Sequence, residues 1–465
     1  MKHAHLIGIG GSGLSAIARV LVEEGYQVSG SDLEYSSYAN ELEKLGVRVF
    51  IGHDPDQILG ADFVLKSSAI PDDNPEVVAA QEADIPIYKR ADFLGKLTAN
   101  QTCIAVAGTH GKTTTTAMVS WMLCELEQDP SYIIGGVSKN LGVNAHAGEG
   151  STFVIEADEY DRMFLGLQPQ IAVVTNIEHD HPDSFPSETD FYKAFIEFIN
   201  KISKDGYLLV CTDDIKAAQL LDYATRRMEL KSLSYGLDMN QDGVPPDIMG
   251  RNLSRNQNGS YNFDIYSGEN YLAKISLNVP GIHNVRNSLV SLAIAKILGL
   301  PLESAARALS EFQGTERRFE IRGIVSGITV VDDYAHHPTE IRATLEAARF
   351  RYPERVLWAV WQPHTYSRTE TLFDQYLSVF ENADHVVVTE IYPSREKVRE
   401  DFSSLQVVQS IEHNDICFLA NNSQVVDHLL SNLNSGDVVI VLSAGDANQI
   451  STQVLNKLSL NGNAK

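Results

Sequence analysis

Short apolar runs alternate with amphipathic stretches along most of the chain, the pattern of parallel sheets flanked by helices. The first unit reads as a strand over residues 3–10, then a helix over 12–24 with Leu14, Ile17, Ala18 and Leu21 on one face, then a strand over 27–30. Further strands are predicted at 63–67 and 85–88. After the polar stretch 96–101 the pattern restarts with a strand at 102–107, which sets a boundary near residue 98. The middle section carries apolar strands at 152–156, 171–176 and 207–211. Residues 236–280 turn polar and rich in Asn and Gly. Asn258-Gly259 and Ser267-Gly268 stand between alternating runs there, which predicts an antiparallel appendage. A helix over 283–298 leads to a second boundary near residue 314, and strands follow at 328–331, 355–361, 384–390 and 437–442. Three restarts predict three α/β domains, over 1–98, 99–314 and 315–465, with a polar tail at 461–465.

Composition narrows the class. The chain has 465 residues, 43% of them apolar, which fits a folded chain of several domains. No apolar run reaches eighteen residues, so no membrane span is expected. The start, MKHAHLIGIGGSG, reads as a strand and glycine turn rather than a secretory leader, and a cytoplasmic location is expected. The four cysteines form no C-x-x-C pair, and Cys103 and Cys211 sit in strand-like runs where inert, buried thiols are expected. Lys plus Arg number 37 against 61 Asp plus Glu, a net charge of −24, which excludes a general nucleic-acid partner. Anionic substrates would have to be held by local chemistry against that field.

Several motifs supply such chemistry. Gly8-Ile9-Gly10-Gly11-Ser12-Gly13 fits G-x-G-x-x-G between a strand and a helix, with Asp32 about 20 residues on. That arrangement seats a diphosphate on a helix N-terminus, with Asp32 placed to accept a ribose hydroxyl; NAD and other nucleotide diphosphates both fit. Gly108-Thr109-His110-Gly111-Lys112-Thr113-Thr114 follows the strand at 102–107 and opens a helix predicted over 115–126. The spacing is shorter than the usual phosphate loop, yet backbone N–H groups, the Lys112 ammonium and the Thr113 hydroxyl suit phosphate and Mg²⁺.

Two later strands end in acidic clusters, Glu156-Ala157-Asp158-Glu159-Tyr160-Asp161 and Asn176-Ile177-Glu178-His179-Asp180-His181. Carboxylates at strand ends beside a phosphate loop can complete a magnesium shell. Asn284 and Asn287, three apart on a helix, suit a nucleotide contact, with N-capping by Asn284 as the alternative. Arg317-Arg318 reads equally as a phosphate contact or a surface pair. In the last section, Asp332-Asp333-Tyr334-Ala335-His336-His337-Pro338-Thr339-Glu340 and Gln362-Pro363-His364-Thr365-Tyr366-Ser367-Arg368 both follow strands and mark a binding rim. Transition-metal binding by Asp and two His is the weaker reading, since no third matching cluster exists.

Taken in order, GIGGSG with SD, SSAI, GTHGKTT, EADE, TNIEHDH, GIHNVRN, RRFE, DDYAHHPTEIRATL and QPH-x-YSRT resemble the Mur ligase family of peptidoglycan synthesis over essentially the whole chain. The resemblance implies an α/β protein of three domains: a Rossmann-like N-terminal domain for a UDP-sugar, a central P-loop ATPase-type domain, and a Rossmann-like C-terminal domain for an incoming amino acid. It implies an ATP- and Mg²⁺-dependent ligase joining L-alanine to the carboxylate of UDP-N-acetylmuramate through an acyl phosphate, with monomer and dimer both open. By matching position, Gly108–Thr114 would hold ATP phosphates, Lys112 would neutralise phosphoryl charge, Thr113 and Glu156 would hold one Mg²⁺ and His181 a second. Asn284, Asn287, Arg318 and Asp333 would meet the rest of ATP. Tyr334, His336, His337, His364 and Arg368 would surround the amino acid, with Arg368 on its carboxylate. Gly10, Gly11, Ser12, Gly13, Asp32, Ser67 and Ser68 would bind the UDP part.

Two departures stand out. Many members have His-Arg-Tyr where this chain has His364-Thr365-Tyr366, and Glu-Ser-Asp where it has Glu159-Tyr160-Asp161. A related ligase that recycles a tripeptide onto the same sugar shares the Glu-Tyr-Asp variant but differs in its glycine turn and third-domain loop. An NAD-dependent oxidoreductase would leave the phosphate loop and the middle section unexplained. A non-catalytic relative would lack Lys112, Thr113, Glu156 or His181, all of which are present.

Overall fold

The computed structural model describes residues 2–228, 230–239 and 243–462. Three sheets follow one another along the chain. The first is fully parallel, in the spatial order Arg48–Ile51, Gln27–Asp32, His3–Ile7, Phe63–Lys66 and Ile87–Lys89. That places the first strand in the middle, and the glycine turn 8–13 leaves its carboxyl end at the point where strand order reverses. The helix Ser12–Glu23 buries Leu14, Ile17, Ala18 and Leu21 against the sheet, the face predicted from spacing.

The second sheet has ten strands. Its parallel centre runs Lys231–Gly236, Tyr207–Cys211, Ile171–Val174, Thr102–Ala107, Thr152–Glu156 and Ser131–Ile133. The central strands read as continuous apolar runs because helices cover both faces; Cys103 to Ala107 and Ile171 to Val174 are all buried. The region around 236–280 corrects the expectation of an appendage. Its strands Ile248–Arg255, Tyr261–Ser267 and Asn270–Ser276 are antiparallel among themselves, but Tyr235 pairs in parallel with Ile248. They extend the central sheet, and their apolar faces pack on the helix Ile282–Ile297.

The third sheet holds Glu320–Val325, Ile328–Asp333, Val438–Leu442, Leu357–Trp361, His385–Val388 and Ile416–Phe418 in spatial order, with only the first strand antiparallel. The chain's last strand inserts between two earlier ones, so the carboxyl ends of Ile328–Asp333 and Leu357–Trp361 flank it on one rim. The helix Asn448–Gly462 occupies part of the polar tail expected at 461–465; residues 463–465 lie outside the described part. Cys103 and Cys211 are buried, and burial pushes both thiols up to about 12, so they are inert. No described helix is long and apolar enough to cross a membrane.

Candidate active site

The phosphate loop is built by its neighbours. Gly108 has φ 132° and a Cβ there would collide with Thr175 Oγ1, so only glycine fits. Gly111, at φ 82°, ends the loop, and the helix begins at Lys112, three residues earlier than the apolar spacing predicted. The next strand's exit is zipped onto the loop. Asn176 Oδ1 accepts from His110 N (2.8 Å), Asn176 Nδ2 donates to His110 O (3.0 Å), and Thr175 Oγ1 donates to the same carbonyl (2.6 Å). Thr109 Oγ1 donates to Glu178 O (2.7 Å) and accepts from Glu178 N (2.9 Å). Asp214 Oδ1, which caps the helix Ile215–Arg227, also accepts from Ile177 N (3.2 Å). The loop is therefore held in shape without a ligand.

Lys112 Nζ donates to the Gly108 and Thr109 carbonyls (2.7 and 3.1 Å) and to Glu159 (3.0 Å). Burial works against its charge, but Glu159, Asp158 and Glu156 more than offset that and hold the ammonium above its usual range. Thr113 Oγ1 donates to Glu156 Oε1 (3.1 Å), whose other oxygen accepts from Gly135 N (2.8 Å). A hydroxyl and a fixed carboxylate oxygen thus meet beside the loop, a hard-oxygen pair that suits Mg²⁺. His181 adopts φ 55°, a left-handed conformation uncommon outside glycine. Its Nε2 lies 3.8 Å from Glu159, and its ring meets Tyr160 edge-on with centroids 5.0 Å apart.

Arg368 crosses from the third sheet to this cluster. Its Nε donates to Asp180 Oδ1 (2.9 Å) and Nη1 to His364 Nδ1 (3.0 Å), while Nη2 lies 3.5 Å from His181 Nδ1. Burial opposes ionisation of Asp180, yet Arg368 and the surrounding histidines hold its carboxyl well below the usual range. Asp180 also accepts from His181 N (2.7 Å), so one carboxylate fixes both groups. In this state the Arg368 guanidinium is engaged by protein partners.

A second crossing lies on the other side of the loop. His110 Nε2 donates to Glu178 (2.8 Å) and Nδ1 to Glu340 (3.3 Å), so both ring nitrogens face carboxylates. Burial alone would lower its pKa, but the two carboxylates raise it to about 9, an imidazolium at neutral pH. Thr339 Oγ1 also donates to Glu178 (2.8 Å). His110, Glu178 and His337 lie close enough to suggest a metal site. However, His337 Nδ1 accepts from Thr339 N (3.3 Å) as N-cap of the helix Pro338–Arg351, and its ring is fully buried. That atom is committed to capping, and Nε2 is closed to solvent without a hydrogen-bond partner.

Beside this second crossing lies a cavity of about 400 Å³, with His110, Glu178, Thr339 and Glu340 on its wall. His110, Gly111, Thr113, Thr114, Asn284, Asn287, Arg318 and Asp333 line it; Gly108, Thr109 and Lys112 belong to the same loop. Asn284 is not an N-cap: Gly281 holds that position, and Asn284 Nδ2 donates to Pro280 O (2.6 Å) while its Oδ1 accepts from Asn287 (3.1 Å). Arg317 and Arg318 are not a surface pair. Both lie over the Tyr334 ring, and Arg317 donates to Ser443 O (2.5 Å). Asp333 accepts from the Phe319 and Ala335 amides (2.7 and 2.8 Å), and burial raises it to about 6 despite Arg318. His336 and His364 stand with ring centroids 5.6 Å apart; burial and Arg368 lower them to about 3 and about 4, so both are neutral at pH 7.

At the first sheet, Asp32 Oδ2 accepts from Gly10 N (2.8 Å), and Ser36 Oγ donates to Gly10 O (2.8 Å). Gly11 precedes the helix as its N-cap, and Ser12 and Gly13 form its first turn. Ser67 packs against the turn at Gly8, and Ser68 is exposed. Sequence reasoning gave no individual role to Glu159, Glu178, Asp180 and Glu340, though each stood inside a noted cluster. Asp213 and Tyr235 line the cavity with no local motif to mark them, because their positions come from tertiary packing, and Arg286, also on its wall, stood unremarked inside GIHNVRN.

Residues 3–102 match the Mur ligase family catalytic domain, 106–295 the Mur ligase middle domain, and 317–445 the Mur ligase glutamate ligase domain. The chain is 40% identical over 459 residues to a UDP-N-acetylmuramate–L-alanine ligase of Clostridium acetobutylicum, covering 98% of each. It is 41% identical over 461 residues to one from Geotalea daltonii, again 98% of each. Among solved structures, the UDP-N-acetylmuramate-alanine ligase of Thermotoga maritima superposes with TM-score 0.81 at 28% identity, covering 99% of this chain and 100% of that one. A murein peptide ligase from Psychrobacter arcticus gives 0.73 at 27%, covering 98% and 99%. The chain belongs to the Mur ligase family, aligned end to end with its UDP-N-acetylmuramate–L-alanine ligases.

Proposed function

We propose that this protein joins L-alanine to the carboxylate of UDP-N-acetylmuramate at the expense of ATP, in peptidoglycan precursor synthesis in the cytoplasm. The observation that carries the reading is the meeting of a preformed phosphate loop, the Glu156–Glu159 carboxylates and His181 with Arg368 from the third sheet. End-to-end identity of about 40% with ligases of that name supports the choice of substrates. The division of labour follows the segments 1–98, 99–314 and 315–465, which we assign to UDP-sugar, ATP and amino acid.

A carboxylate is a poor electrophile, and transfer of the γ-phosphoryl group supplies a leaving group that the amine of L-alanine then displaces. Such chemistry depends on positioning and charge neutralisation. The loop amides 108–114 cradle phosphates, and Lys112 exchanges Glu159 for phosphate oxygens. Asn284, Asn287, Arg318 and Asp333 hold the nucleoside end. Thr113 and Glu156 would hold one Mg²⁺ and His181 a second, and the ions would supply the positive charge that this acidic chain lacks. On the rim, Tyr334, neutral His336 and His364, and Arg368 enclose the amino acid, with His337 bracing them. For Arg368 to take the amino-acid carboxylate it must share Asp180 or release it.

The test is phosphate release with each substrate omitted in turn. Release only when UDP-N-acetylmuramate, L-alanine, ATP and Mg²⁺ are all present supports the reading. Preference for the tripeptide over L-alanine would assign the protein to recycling instead.

A further inference from the structure

Arg90 begins the helix Arg90–Leu97, which precedes the strand leading into the phosphate loop. Its guanidinium lies directly over Gly13, in the first turn of the helix Ser12–Glu23. A Cβ at Gly13 would fall on Nη1 and Cζ and stand 2.9 Å from Nε. Nε is closed to solvent and has no hydrogen-bond partner, and among the described residues the guanidinium makes no hydrogen bond or ion pair. Burial lowers the proton affinity of this side chain, and Asp158 and Glu156 only partly restore it.

The surroundings make that arrangement costly unless an anion joins it. The helix Ser12–Glu23 has no side-chain cap and no acidic residue in its first turn, so its positive end faces a partly buried cation whose Nε is closed to solvent. An anion between the two would satisfy both at once. The support is rigid on the other side. Helix Arg90–Leu97 packs backbone to backbone on the segment Tyr160–Gly166: a Cβ on Gly95 would stand 2.5 Å from Gly166 O, and one on Gly166 would collide with Ala91 O. That segment continues directly from Glu156–Glu159. Arg90 therefore links the glycine turn of the first sheet to the acidic strand end of the second.

We propose that Arg90 binds the diphosphate of the nucleotide-sugar at the turn 8–13 and sets its position relative to the Glu156–Glu159 strand end. The proposal rests on the nucleotide-sugar reading above. UDP is the probe, titrated by calorimetry into the full-length protein and its R90A, R90K and G13A variants, with ATP titrated in parallel. R90A is expected to weaken UDP at least about tenfold, the effect of one lost charge-assisted contact. R90K is expected to fall between, keeping the charge but losing the fork of donors. G13A is expected to weaken UDP as well, because its methyl displaces the guanidinium without altering its charge. ATP affinity stays unchanged in all three, which shows that each variant folds. UDP binding to R90A within twofold of wild type overturns the Arg90 assignment. Loss seen with UDP-N-acetylmuramate but not with UDP overturns the diphosphate assignment. Failure of the unaltered protein to bind UDP overturns instead the nucleotide-sugar reading on which the proposal rests.

Discussion

Lys112 and Asp180 show how single residues hold this site ready. Lys112 is charged, largely buried and already paired with Glu159, so on the proposed assignment nucleotide binding would exchange one anionic partner for another and spare the lysine a desolvation step. K112A is expected to lower substrate-dependent phosphate release by roughly 10²–10³-fold, the usual cost of removing one preorganised charge. Binding of UDP to the first sheet is unaffected in that variant. Asp180 takes a different part. Asp180 and Arg368 are 5% and 4% exposed, and D180N leaves a buried guanidinium without its counter-ion. A loss of about 3–5 kcal/mol in that interaction is expected, read as a lower thermal transition, together with a raised KM for L-alanine as Arg368 loses its orientation.

Among the elements, strands with both faces covered were legible because apolar runs such as Cys103–Ala107 leave little choice of assignment. Edge strands such as Arg48–Ile51 and Ala145–His146, four and two residues long, are too short to stand out from local pattern, and their pairing comes from neighbours. The region 236–280 was read correctly as hairpins, but its parallel seam at Tyr235 and Ile248 is a long-range contact that local pattern does not encode. The phosphate loop was legible as a motif, whereas its zipping by Thr175 and Asn176 emerged only in three dimensions. The helix Arg90–Leu97 offers a test at this scale. G166A places a methyl against the Ala91 carbonyl, a backbone atom with little room to yield. A destabilisation of about 1–3 kcal/mol is expected, measured by denaturant unfolding, whereas G142A, at a glycine with open space around it, is limited to the strain of its left-handed backbone.

For the whole molecule, the contacts between the second and third sheets act as latches, and one of them titrates. His110 is raised to about 9 from 6.5, so its contribution is complete below pH 6.5 and disappears as pH climbs through about 9. Glu178 is lowered to about 2: burial opposes this, but its bond from His110 prevails, and its contribution holds above 4.5 and fails as pH falls toward 2. Between 4.5 and 6.5 the latch is fully formed. The stability difference between the unaltered protein and H110Q is therefore expected to be largest there and to vanish above about pH 9. Equal differences at both ends would remove His110 from the latch.

The net charge of −24 also belongs to this scale. Two polyanionic substrates approach an acidic protein, and on the proposed assignment helix ends, Lys112, Arg318 and divalent metal supply the affinity. Chelation of Mg²⁺ is expected to weaken ATP binding at least about tenfold, since pairing of phosphate with the acidic strand end is otherwise repulsive. The central claim, that one site on this chain couples ATP to L-alanine and UDP-N-acetylmuramate, is tested most directly by phosphate release as a function of L-alanine. The account predicts saturable release in the complete mixture, near background when L-alanine or the sugar acid is left out. Release of equal rate without L-alanine, or none in the complete mixture, would contradict it.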